Sequence, residues 1–202
     1  MSLEGLQFIG YVLPTETEDF AMKKMYRYRP AFSEKQHSII ELELFDCRVC
    51  LLSFYEEGSE NGRDKYKKRS NLKPGHVRSI LQACLAAYYE LDGNYALMFS
   101  AANDPEKVQE SNGRFSLYKL FLNHYFRDID QHEYRECSIL NTLIVYSPDL
   151  PQKEEALDFY LGFEKRVKSN LEKEVTEQFN PLPYLPREFY EGIEKGAPLP
   201  EK

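Results

Sequence analysis

The residues best placed to do chemistry open on a run of cations. Arg63, Lys65, Lys67, Lys68, Arg69 and Lys73 crowd together against a single acid, Asp64, and lead into Pro74-Gly75-His76, where an apolar helical pattern begins. Proline suits a first helical turn because the N–H it lacks has no partner there anyway. The positive end of a helix also favours an anion. Lys68, Arg69, Lys73, Gly75 and His76 are therefore candidate ligands for a phosphate or pyrophosphate group. A solvated charged loop is the competing reading of the same run. Tyr66, set among the cations, allows a third: stacking on single-stranded nucleic acid.

A second group opens the next helical pattern. Ser111 or Asn112 can cap it. Arg114 follows within the first turn, where it opposes the helix dipole and calls for a carboxylate, a phosphate or a partner; Asp104 and Glu106 are the acids nearest in sequence. Tyr118, one turn further on, carries a phenol able to donate a proton. Other templates fail. His37, His76, His124 and His132 lack metal-ligand spacing, and neither Gly-x-Ser-x-Gly nor HExxH occurs. Cys47-Arg-Val-Cys50 has a metal or redox spacing, but it lies in a strand-like run, where residues three apart face opposite sides. Its thiols, with Cys84 on an apolar helix face, read as reduced packing groups, and no metal is expected.

The elements that must hold these groups are legible as patterns. Gln7–Leu13 and Ala21–Tyr28 are strand candidates. Ile39–Phe45 alternates as a strand with one wet face, and Val49–Tyr55 is more continuously apolar and belongs nearer the sheet centre. Val77, Ile80, Leu81, Cys84, Leu85, Tyr88 and Leu91 form one helical stripe. Tyr95–Ser100 reads as a buried strand, so a helix joins two strands that by default pair in parallel. A second helix spans Asn112–Phe126, one more strand lies within Tyr134–Tyr146, and a long helix follows Pro151. The expected class is α+β: a mixed central sheet with N-terminal antiparallel strands, then β-α-β-α-β and a long C-terminal helix. Residues 1–179 form one domain on this reading, and the proline-rich residues 180–202 form an extended tail.

Composition bounds the function. The chain has 202 residues, 26 basic against 33 acidic, with 15 Tyr, 13 Phe and no Trp. A net charge of −7 disfavours binding to duplex nucleic acid. No apolar run reaches the roughly 20 residues of a membrane span, and the N-terminus lacks the features of a secretory signal, so a cytoplasmic location is expected. The tyrosines suit an amphipathic core or a partner surface. With the tail's Leu182, Leu185, Phe189, Tyr190 and Ile193, they suggest a protein partner or self-association.

The order of elements from Val49 onward resembles the acetyl-CoA-dependent N-acetyltransferase superfamily. The strand Val49–Tyr55, the basic loop, the helix from Pro74, the strand Tyr95–Ser100, Leu117-Tyr118-Lys119 and the strand near Ile139 match its parts. The resemblance implies acetyl-CoA as cofactor, Tyr118 as the general acid for the leaving thiolate and Asn112 as a cofactor contact. Arg69-Ser-Asn-Leu-Lys-Pro-Gly75 departs from the superfamily's glycine-rich phosphate loop. Gly113-Arg-Phe-Ser-Leu-Tyr118 also resembles a pattern in small bacterial domain-of-unknown-function families, which implies a fold and no activity. The leading expectation is binding of a protein partner or a small anionic ligand without cofactor or turnover. N-acyl transfer is the alternative, and single-stranded nucleic-acid binding the third.

Overall fold

A computed structural model describes residues 3–30, 37–58, 74–91, 94–101, 112–127 and 132–178. The basic run with Lys68, Arg69 and Lys73, and the tail from residue 179 on, lie outside them. The strands are β1 (Leu6–Val12), β2 (Met22–Tyr28), β3 (Ser38–Leu44), β4 (Val49–Glu56), β5 (Ala96–Ser100), β6 (Glu133–Cys137) and β7 (Thr142–Tyr146). The helices are α1 (Pro74–Tyr89), between β4 and β5; α2 (Gly113–Leu122), which runs on into a π turn over Asn123–Arg127; and α3 (Lys153–Gln178). The protein is α+β, with one seven-stranded mixed sheet in the order β1-β2-β3-β4-β5-β7-β6. Among the described strands only β4 and β5 pair in parallel. Among the described residues no helix is long and apolar enough to cross a membrane.

Strand alternation sends side chains to two separate cores. Ile40, Leu42, Cys50, Leu52, Leu97 and Phe99 point to the side covered by α1 and α2. Val49, Ala96, Met98 and Ile144 point the other way, under Ala156 and Tyr160 of α3. Cys50 and Cys47 thus belong to opposite sides of the sheet, Cys47 packing against the α3-side cluster. Burial pushes both thiols up, which keeps them protonated and inert at neutral pH.

Two expectations need correction. The segment Tyr134–Tyr146 is a hairpin of two strands, not one, and β7 inserts between β5 and β6. The reversal rests on Asn141, whose φ of 54° is a left-handed conformation that asparagine tolerates better than most residues. The supposed wet face of β3 is covered: Glu41 is only 3 % exposed, and the Tyr55 hydroxyl donates to its Oε1 at 3.2 Å. A buried carboxylate persists only with such donors.

Candidate functional site

The site originates in a seam that closes only part-way. β4 pairs with β5 at Val49↔Ala96, Cys50↔Leu97 and Leu51↔Met98, and no further. Beyond that point β4 continues to Glu56 along β3, while Phe99 and Ser100 continue along β7. The strands diverge toward their C-terminal ends. A helix linking parallel strands runs back against them, so the start of α1 lies at the same end as the opening.

Backbone parity equips the gap with hydrogen-bonding groups. Ala96 N–H donates to the Arg48 carbonyl at 2.8 Å across the closed part. By the two-residue repeat, the amides of Leu52 and Phe54 on β4, and of Ser100 on β5, face the gap. An extended, amide-bearing chain is the natural partner for such an edge.

The opening encloses a cavity of about 330 Å³ that passes between the layers. That falls at the small end of ligand sites, roughly 300–1,000 Å³. On the α1/α2 side its walls include Leu81, Cys84, Arg114, Tyr118 and Phe121. On the α3 side they include Glu43, Leu51, Ser53, Ser100 and Phe163. Neither family models, curated proteins nor solved structures match this chain. The functional reading therefore rests on the cavity's own chemistry.

Tyr118 spans the divergence. Its ring meets Phe54 of β4 at 5.9 Å and Phe99 of β5 at 5.2 Å, both edge-to-face. Burial raises its phenol well above the ordinary tyrosine value; Cys84 adds to the rise and the Arg114 charge offsets part of it. At neutral pH Tyr118 is a proton donor and not a base. Arg114 lies one turn earlier on the same helix, so the two share a face. The Cys84 thiol is also pushed up by burial, which argues against a nucleophilic thiolate in the cavity.

Of the residues expected from the sequence, Arg114 and Tyr118 meet at the cavity. Asn112 does not line it. It is the buried N-cap of α2: its Oδ1 accepts from Phe115 N–H at 2.8 Å, and its own N–H donates to Asn141 Oδ1 at 2.9 Å. A cofactor contact would have to displace those bonds, so Asn112 acts by fixing the helix that carries Arg114 and Tyr118. Gly75 and His76 occupy the first turn of α1, with Gly75 exposed and the His76 carbonyl accepting from Ser79 Oγ at 2.9 Å. They stand at the open end and outside the cavity wall.

Sequence reasoning missed Glu43, Ser53, Ser100 and Phe163, which come from four separate elements. Glu43 was detectable in principle. The tight turn between β3 and β4 fixes the register Glu43↔Leu51, and Leu51 is the last residue of the closed seam.

Proposed function

We propose that the cleft holds the arm of an acyl-coenzyme-A thioester and passes its acyl group to an amine. The observation that carries this reading is the opening of the β4–β5 seam with Tyr118 and Arg114 at its wall. The sheet order and the divergence of two parallel strands around a crossover helix are similar to an N-acetyltransferase-like topology, and they support it. A pantetheine arm carries amides in an extended chain and matches the edge amides of Leu52, Phe54 and Ser100. The nucleotide end would leave by the open end, beside the start of α1.

The chemistry follows from the groups in place. The amine nitrogen, as the neutral base, attacks the thioester carbonyl from the α3 side. A C–N bond forms, the C–S bond breaks, and Tyr118 gives its proton to the departing sulfur. The excess proton on nitrogen leaves to water, and water restores the phenol. Arg114 stabilises the transient phenolate, as its pull on the Tyr118 pKa requires. Calorimetry with acetyl-CoA is expected to give micromolar binding, and Tyr118→Phe to retain that binding while slowing acyl transfer by about 10²-fold or more. Absence of acetyl-CoA binding would reject the reading. Binding with no transfer to any amine would leave ligand binding without turnover.

A further inference from the structure

The two sides of the cleft differ in charge. Arg114 stands on the α2 side and Glu43 on the α3 side. Glu43 lies opposite Lys23 on β2, whose Nζ approaches its Oε1 at 2.8 Å. Burial pulls the Lys23 ammonium down, but Glu43 and then Glu41 outweigh it and hold Lys23 charged. A carboxylate offers about four acceptor positions. Lys23 engages one oxygen, which leaves Glu43 places for a second cation.

The surroundings select among cations. Glu41, two residues away on the same face of β3, is buried behind Ser53, whose hydroxyl donates to it at 3.5 Å. It adds negative potential at this mouth. Phe163 and Leu51 supply apolar wall for the body of a ligand. Arg166 of α3 is engaged with Asp19 at 2.8 Å, and its guanidinium also lies over the Phe163 ring at 6.0 Å. A carboxylate on a ligand would face Glu43 and Glu41 with only Lys23 to offset them, whereas an ammonium meets that net negative charge on one side and an apolar wall on the other. Arg114 across the sheet repels the same ammonium, which fixes its direction of entry.

Building on the acyl-transfer reading, we infer that the acceptor is a small cationic amine on an apolar body, without a carboxylate. It enters from the α3 side, seats its ammonium on Glu43 and its body on Phe163 and Leu51, and gives one proton to water before the neutral nitrogen attacks.

Phenethylamine and phenylalanine share a ring and an amine and differ by a carboxylate, so they are the probes. Calorimetry on the full chain, without coenzyme, reads the seat directly. Phenethylamine is expected to bind at least about tenfold more tightly than phenylalanine, and Glu43→Gln to remove about that factor. Glu43→Asp is expected to keep part of it. No saturable phenethylamine binding, equal binding of the two probes, or an unchanged preference in Glu43→Gln overturns the seat. Phe163→Ala serves if Glu43→Gln fails to give a cooperative melt, with weaker phenethylamine binding expected and unchanged binding overturning the proposal. Amine binding as expected with no acetyl-CoA binding rejects the acyl-transfer reading and leaves the seat standing. Acetyl-CoA binding without the amine preference does the reverse.

Discussion

β4 has two edges with opposite behaviour. Against β3 it is registered at seven positions, from Ser38↔Glu56 to Leu44↔Cys50. Against β5 it is registered at three. The first seam begins at a tight turn in which Phe45 N–H takes the Val49 carbonyl at 2.9 Å, and that turn leaves the register no freedom. The second is set at long range through α1, and only its closed end is clamped, by Val49, Ala96 and Met98 beneath α3. At the other end the Tyr118 ring reaches both strands. The same strand is thus structural on one side and available for a ligand on the other, and a single aromatic wedge marks where the change occurs.

The largest effect expected is a response to high pH. The phenols of Tyr88, Tyr118 and Tyr160 are all raised, chiefly by burial, from an ordinary value of 10.0. The unfolded chain loses these protons first, so the stabilisation is whole below pH 10 and falls as pH rises past it. Each phenol that ionises only on unfolding contributes a slope of about 1.4 kcal/mol per pH unit. Urea melts between pH 8 and pH 11 measure the sum. Tyr118→Phe is expected to remove one phenol's share of the slope and to keep the wedge. An unchanged slope would mean that the phenol titrates freely in the folded state.

Next in size is damage to the seam between β3 and β4. Leu42 is fully buried on β3 opposite Leu52. Leu42→Ala is expected to cost about 2–5 kcal/mol in a urea melt. Below its melting transition it should bind acetyl-CoA as the parent does. A matching loss of affinity would show that the two edges of β4 are not independent. Ser100→Phe probes the open edge in the opposite sense. Ser100 is exposed and lines the cavity, so a ring there is expected to change stability by about 0.5 kcal/mol or less. It should lower acetyl-CoA affinity by about tenfold or more, since the space for the arm is taken.

The closed seam was largely legible in the sequence and the open one was not, for a physical reason. β3, β4, α1 and β5 follow from alternation and the helical repeat, which are local. The hairpin β6–β7 escaped because its reversal, Ser138-Ile-Leu-Asn141, has no glycine or proline and depends on one asparagine with positive φ. Arg114 and Tyr118 were visible as the start of a helix, since one element carries both. Glu43, Ser53, Ser100 and Phe163 come together only once the register of β3, β4 and β5 and the placement of α3 are known. Asn112 was singled out for its chemistry, and no local signal distinguishes an amide that holds a ligand from one that caps its own helix.

That ambiguity yields the smallest and most discriminating prediction. Asn112 links three pieces: it caps α2, its N–H is held by Asn141 in the β6–β7 turn, and its Nδ2 lies 3.5 Å from the Ala101 carbonyl just past β5. Through it the helix bearing Tyr118 is tied to the strand that forms one wall of the opening. Asn112→Ala removes the cap and is expected to cost about 1 kcal/mol. Asn112→Asp retains an oxygen for Phe115 N–H, with a negative charge that favours the helix start, but gives up the Nδ2 donation to the Ala101 carbonyl, and should recover part of that loss. If Asn112 acts by positioning, acetyl-CoA affinity should track stability across the two variants: slightly reduced in Asn112→Ala and closer to the parent in Asn112→Asp. If its amide instead contacts the ligand, Asn112→Asp should bind acetyl-CoA worse than Asn112→Ala does while melting above it, because a carboxylate cannot donate where the amide did. Calorimetry and melting on the same two proteins separate the outcomes, and only the first is consistent with an opening whose far wall is set by a cap.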